Sequence, residues 1–210
     1  MFSELSGGDL IIVFVSILLS MAIHEAMHAF TSHWLGDSTA KDLGRLTLNP
    51  LKHIDLITTV LLPLVMILVG ITPFFIAKPV PFNPNRVKYE EFGAALIGLA
   101  GPFTNFVLAV IAALIVRISG IAVGTDVFHI FSIFIQINLA FFVFNMIPFP
   151  PLDGSRLLYA FAPESLQKFM YQIESMGFTA ILLFMFIFIQ FGGSTLVGNI
   201  IDALYRVLLA

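Results

Sequence analysis

The chain has 210 residues, of which 59% are hydrophobic and 11% charged, with a mean hydropathy of +1.00. That balance excludes a water-soluble globule, and a net charge of only −3 gives no reason to invoke nucleic acid as a partner. Cysteine is absent, which removes disulfides, thiolate metal sites and cysteine nucleophiles together, so any metal must be held by His, Asp or Glu.

Apolar runs long enough to cross about 30 Å of hydrocarbon as helix recur along the chain. The first covers 10–33. It follows Glu4 and Asp9 rather than Lys or Arg and contains three polar residues, which does not fit a cleavable signal peptide; the mature chain is expected to begin near Met1. In 42–55, Leu43, Arg45, Thr47 and Asn49 alternate with Gly44, Leu46 and Leu48 before Pro50 ends the pattern, which predicts a strand or a small hairpin. The run 56–76 is interrupted by Pro63, Gly70 and Pro73 and reads as a kinked span or a re-entrant pair of short segments. Spans are predicted at 92–117, 127–147 and 176–191. The stretch 195–209 carries Asp202 and Arg206 and reads as a short span or an interfacial helix.

The polar stretches 36–55, 77–91 and 151–175 are loop-sized, and no repeat is visible. The expected fold is therefore one all-α polytopic membrane domain over 1–210. It has about five or six transmembrane helices, a small membrane-associated strand or hairpin and a re-entrant segment.

The polar residues of the first run lie in "SMAIHEAMHAF", 20–30, where His24, Glu25 and His28 spell H-E-x-x-H. On a helix the two imidazoles sit at i and i+4 on one face, close enough for two ring nitrogens to converge on one zinc ion at about 2.0–2.1 Å. Glu25 stands beside them, placed to take a proton from an attacking water. Ionisable groups in hydrocarbon are costly, which weighs against a cluster without a function. A catalytic zinc site needs a third protein ligand. His33, His53 and His129 lie near predicted helix ends and read as interfacial side chains. Asp153 is the stronger candidate, in "NMIPFPPLDGSRLL", 145–158, where three prolines extend the chain and Gly154 permits a sharp turn.

The pairing of H-E-x-x-H at 24–28 with N-x-x-P-x-P-x-L-D-G at 145–154 resembles the site-2 proteases, the intramembrane zinc metalloproteases. "AGPFTN", 100–105, and "GRLTLNP", 44–50, resemble two further stretches of that family, so the likeness covers most of 10–160, the expected catalytic core. PDZ and CBS regions are lacking, as in the minimal branch. The resemblance implies that His24, His28 and Asp153 ligate one zinc ion, that Glu25 is the catalytic base, and that Asn145 positions substrate or stabilises charge. Asn105 and Asn49 are further candidates for that support. Leu43, Arg45, Leu46 and Thr47 would pair with an unwound substrate segment. The implied function is hydrolysis of peptide bonds within transmembrane helices of single-pass membrane proteins, with a homo-oligomer or a regulatory membrane partner as further associations. A non-catalytic metal transporter or scaffold is the alternative, and it would not need Glu25.

Because the three ligands must meet at one depth, the first span and 127–147 must run parallel, so 56–76 must enter and leave on one side. Lys41, Arg45, Lys52, Lys78, Arg86, Lys88, Arg156 and Lys168 then share a side against Arg117, whereas a full crossing divides the same cations five to four. The positive-inside rule puts the larger group, and the site, toward the cytoplasm.

Overall fold

The computed structural model describes residues 7–68 and 78–210, and among these it is helical, without strands. Among the described residues three helices are long and apolar enough to cross a membrane: α1 (Gly7–Trp34), α4 (Glu90–Ile118) and α5 (Asp126–Asn145). The shorter helices are α2 (Thr39–Asp42), α3 (Leu62–Leu68), α6 (Ser155–Phe161), α7 (Glu164–Ser175), α8 (Phe178–Gln190) and α9 (Gly193–Leu209). The chain is a multi-pass membrane protein.

Five or six crossings are not seen among the described residues. The predicted span 176–191 yields a helix of only 13 residues, roughly 20 Å long, which joins α7 at a bend of 100°. Counted as one broken span, that pair brings the total to four. The interruption has a local cause: Gly177 adopts φ 55°, a left-handed conformation that glycine tolerates and a helix interior does not.

α1, α4 and α5 pack against one another. Ala109, Ala112 and Ala113 of α4 meet Ile135 and Leu139 of α5 in a buried cluster, the small side chains letting the two backbones approach. Asp9 near the start of α1 and His129 near the start of α5 form an ion pair at 2.6 Å. Asp153, just past the other end of α5, meets the second half of α1. α1 and α5 are therefore parallel.

The connection from α1 to α4 departs from the predicted strand. Over 43–49 the backbone donors are spent locally, Arg45 N–H on Ala40 O, Thr47 N–H on Arg45 O and Asn49 N–H on Thr47 Oγ1, so no ladder forms. Asn49 is exposed and caps the short turn Pro50–Lys52 by accepting from Leu51 N–H. His53 is not interfacial but fully buried, its Nε2 donating to Thr47 O at 2.8 Å.

A π-helical turn, Leu56–Leu61, runs directly into α3, and Asp55 caps it by accepting from Ile57 and Thr58 N–H. Pro63 has no N–H for the preceding turn, which fits the wider winding before it. These 13 helical residues reach about 20 Å, short of a crossing. Gly70 and Pro73, the other expected breakers, lie outside the described residues. Where description resumes, Lys78 N–H donates to His53 O at 3.0 Å, and the Arg45 guanidinium donates to Lys78 O and Pro79 O. The two ends of the segment 54–77 thus lie together.

Candidate metal centre

His24 and His28 are buried on the face of α1 that meets α4. Each imidazole is oriented through its Nδ1. That of His24 faces Asn105 Oδ1 at 2.6 Å, and that of His28 faces Ile97 O at 2.7 Å. A carbonyl oxygen only accepts, so His28 Nδ1 carries the proton. For His24 the same follows from Asn105, whose Nδ2 donates to Asn138 Oδ1 at 2.9 Å and Ser20 O at 3.3 Å, leaving Oδ1 as the acceptor. Both Nε2 atoms are then unprotonated in the neutral rings, with lone pairs pointing away from α4's polar groups.

Those lone pairs converge. The two Nε2 atoms are 3.0 Å apart, and Asp153 Oδ2 is 3.0 Å from that of His24 and 3.4 Å from that of His28. Ligand atoms about 2.0–2.1 Å from a tetrahedral ion stand roughly 3.3 Å from one another, so the triangle fits such an ion. Three acceptors pressed together without a proton between them repel, and a cation at their centre is what relieves them.

The turn carrying Asp153 is fastened on both sides. Gly154 N–H donates to Asn145 O at 2.7 Å, closing the loop on the end of α5. On the other side Arg156 forms an ion pair with Glu174 of α7, and the Tyr159 hydroxyl donates to the same carboxylate at 3.0 Å. Burial first, then the Glu174 charge, pushes the Tyr159 phenol upward, so it stays a donor.

α4 comes close because it lacks side chains where it must. A Cβ on Gly101 would lie 2.5 Å from His28 Nε2 and 2.6 Å from His24 Nε2, and one on Gly98 would lie 2.9 Å from Asp153 O. Glycine at 101 keeps open the space into which both imidazoles point.

Glu25 is 9% exposed, and its carboxylate lies within 4.8 Å of the ligand nitrogens of both histidines. It belongs to the same cluster but is held differently. Val80 N–H donates to Glu25 Oε2 at 3.0 Å, and because Pro79 and Pro81 have no N–H, Val80 is the only backbone donor of that tripeptide. Glu25 is therefore restrained by the 78–82 stretch, while Asp153 is the carboxylate that meets both Nε2 atoms.

The structure brings together His24, Glu25, His28, Asp153 and Asn105. The Asn145 side chain instead donates to Phe141 O within its own helix, and what the residue offers the site is its carbonyl. Leu43, Leu46 and Thr47 make no bond to the cluster, and Arg45 reaches it only through Lys78 and Pro79. Sequence reasoning missed Asn138 and Val80, and it saw Gly101 only as part of the "AGPFTN" motif. An asparagine in the middle of the run 127–147 was the available signal for the first.

The chain is 35% identical over 198 residues to "Putative zinc metalloprotease YwhC" of Bacillus subtilis, an alignment covering 90% of this chain and 85% of the relative. The chain belongs to peptidase family M50. The family's model matches residues 115–189, which include Asn145 and Asp153. The histidines precede that stretch, but the Bacillus alignment omits only a tenth of the chain and so contains 24–28 wherever it begins. "Putative zinc metalloprotease Rip2" of Mycolicibacterium smegmatis is 30% identical over 189 residues, covering 84% of this chain and 67% of the relative. No solved structure matches the chain. As an M50 member it is a metalloprotease, and its site is built between helices suited to a bilayer.

Proposed function

We propose that the chain is one membrane domain, 1–210, that binds a single zinc ion through His24, His28 and Asp153 and hydrolyses peptide bonds within transmembrane helices of other membrane proteins. The observation that carries this reading is the convergence of two histidine lone pairs and a carboxylate oxygen at 3.0–3.4 Å, each imidazole held from behind through its Nδ1. Bound there, zinc would supply a Lewis acid and bring the pKa of a coordinated water toward about 7.

The protein's own groups account for the rest. Glu25 takes the proton from the attacking water and returns it to the departing amine, and the Val80 amide keeps its carboxylate turned toward the site. Asn105 and Ile97 O fix the imidazole tautomers, and the Asn145 carbonyl anchors the turn that presents Asp153. A substrate helix shields its carbonyls in its own hydrogen bonds, so it must unwind, and its freed backbone needs partners. We assign these to the wall formed by 43–49 and 78–82. Of this wall, 78–82 lies nearest the base, and Asn49 contributes as a cap.

The topology proposed with this function has 56–76 re-entrant, the N-terminus outside and the site toward the cytoplasm. It is supported by the His53–Lys78 bond and the eight-to-one distribution of cations. Labelling of an Asn85→Cys variant by an impermeant thiol reagent should occur only after the membrane is opened. The function itself is tested by zinc analysis of purified protein together with cleavage of a panel of single-pass substrates, wild type against Glu25→Gln. A protein that holds zinc yet cleaves none of them, or a Glu25→Gln variant that still cleaves, contradicts it. The transporter reading requires that Glu25→Gln leave transport intact, and no observation favours it.

A further inference from the structure

The mechanism makes no use of α9, yet this helix carries an acid and a base at membrane depth. Its position follows from three contacts. Gly193, at its start, lies against the Phe188 ring, and Phe188 in turn contacts Phe144 near the site end of α5. Twelve residues later the Tyr205 hydroxyl is 2.6 Å from Ser132 Oγ, twelve residues back along α5. α9 therefore runs antiparallel to α5 beside it, and Asp202, one turn before Tyr205, is level with the middle of that span.

One face of α9 is accounted for. Ile201, Leu204, Tyr205 and Leu208 cover the buried cluster of α4 and α5. Asn199, Asp202 and Arg206, at i, i+3 and i+7, stand about 180° away with Ala203 among them, and all four are exposed. Neither Asp202 nor Arg206 has an ion-pair partner within 4 Å among the described residues, although their order on the helix favours one. The other side chains exposed at this depth, such as Ile111 at 49% and Ile130 at 46%, are those expected to face lipid. An aspartate and an arginine facing hydrocarbon are not.

We propose that this stripe is a dimerisation surface, α9 of one chain packing against α9 of a second copy about a two-fold axis along the membrane normal. Asp202 of each copy meets Arg206 of the other, and the two Asn199 side chains bond across the axis. The charges choose the occupant. Acid and base one turn apart are self-complementary, so an identical stripe satisfies both at once, whereas a partner of one sign would leave the other charge unpaired. Ala203 between them permits the close approach such a pair needs.

The absence of cysteine makes the test direct. In liposomes containing only the purified chain, Ala203→Cys should give a disulfide-linked dimer on oxidation, and Ile111→Cys, on the lipid-facing side of α4, should not. Asp202→Arg and Arg206→Asp should each lower the cross-linked fraction at least tenfold, and the double exchange should restore it. Equal cross-linking at 203 and 111, or no restoration in the double exchange, overturns the proposal. Should the single variants fail to fold, photobleaching counts on labelled wild-type protein at high dilution in lipid decide, with monomers alone overturning it. A photo-cross-linker at position 203 in native membranes that captures only lipid or a different polypeptide overturns it as well.

Discussion

α1 and α9 both carry acidic and basic or metal-binding side chains at hydrocarbon depth, but they turn them in opposite directions. On α1, His24, Glu25 and His28 face inward and each is bonded, to Asn105, Val80 and the Ile97 carbonyl. On α9, Asp202 and Arg206 face outward and the apolar face is the one that packs. Removing a polar group from water is costly on either helix, so what offsets the cost tells the two apart. Inside, the group is bonded from neighbouring helices and could hold a metal ion. Outside, the proposed contact with a second copy would offset the cost.

The comparison can be broken or sharpened in order of expected effect. If Asp153 is the third ligand, as proposed, Asp153→Ala should abolish both metal retention and proteolysis, read by zinc content after dialysis. Glu25→Gln should lower the cleavage rate by about 10²–10⁴-fold while zinc content stays at one per chain. Asn105→Leu frees the His24 ring and should weaken metal affinity by about 10–100-fold in a competition titration; an unchanged affinity would show that the tautomer is set elsewhere.

Asp37 offers a smaller effect. This fully buried carboxylate joins the end of α1 to the 78–89 stretch by accepting from Thr39 N–H, Thr39 Oγ1, Ser32 Oγ and Asn83 N–H. Burial alone would raise its pKa, but these donors hold it below the usual range. A depressed pKa means that its contribution to stability is complete above about pH 4 and is lost as the pH falls through the folded-state value. Asp37→Ala should cost about 2–4 kcal/mol at neutral pH and flatten that acid limb in thermal melts. Least affected is the paired variant Asp202→Asn with Arg206→Gln. Neither residue touches the site, and cleavage by the purified chain should stay within about twofold of wild type.

Much of the centre was legible in the sequence because its chemistry is local. H-E-x-x-H puts two imidazoles on one helical face whatever surrounds them, and Asp153 sits in a proline-enforced turn between Pro151 and Gly154. The strand expected at 43–49 failed because alternation records only which side chains are apolar, while a strand also needs a neighbour to accept its hydrogen bonds, and here local turns took the donors. The span expected at 176–191 is a shorter helix joined to α7 at a bend, because composition does not reveal the positive φ at Gly177. Asn105 was seen as a motif residue, but that it faces His24 Nδ1 rather than a substrate depends on how α4 lies against α1.

From the sequence alone came the membrane setting, the two histidines with their base, and the requirement that α1 and α5 be parallel, since one metal ion cannot be reached from two depths. Tertiary structure decided what stands behind each ligand and how near α4 approaches. Those are distances between residues some 55 to 130 positions apart, and they depend on a missing Cβ at Gly101 and on a bond from Val80, which no periodicity along a single helix encodes.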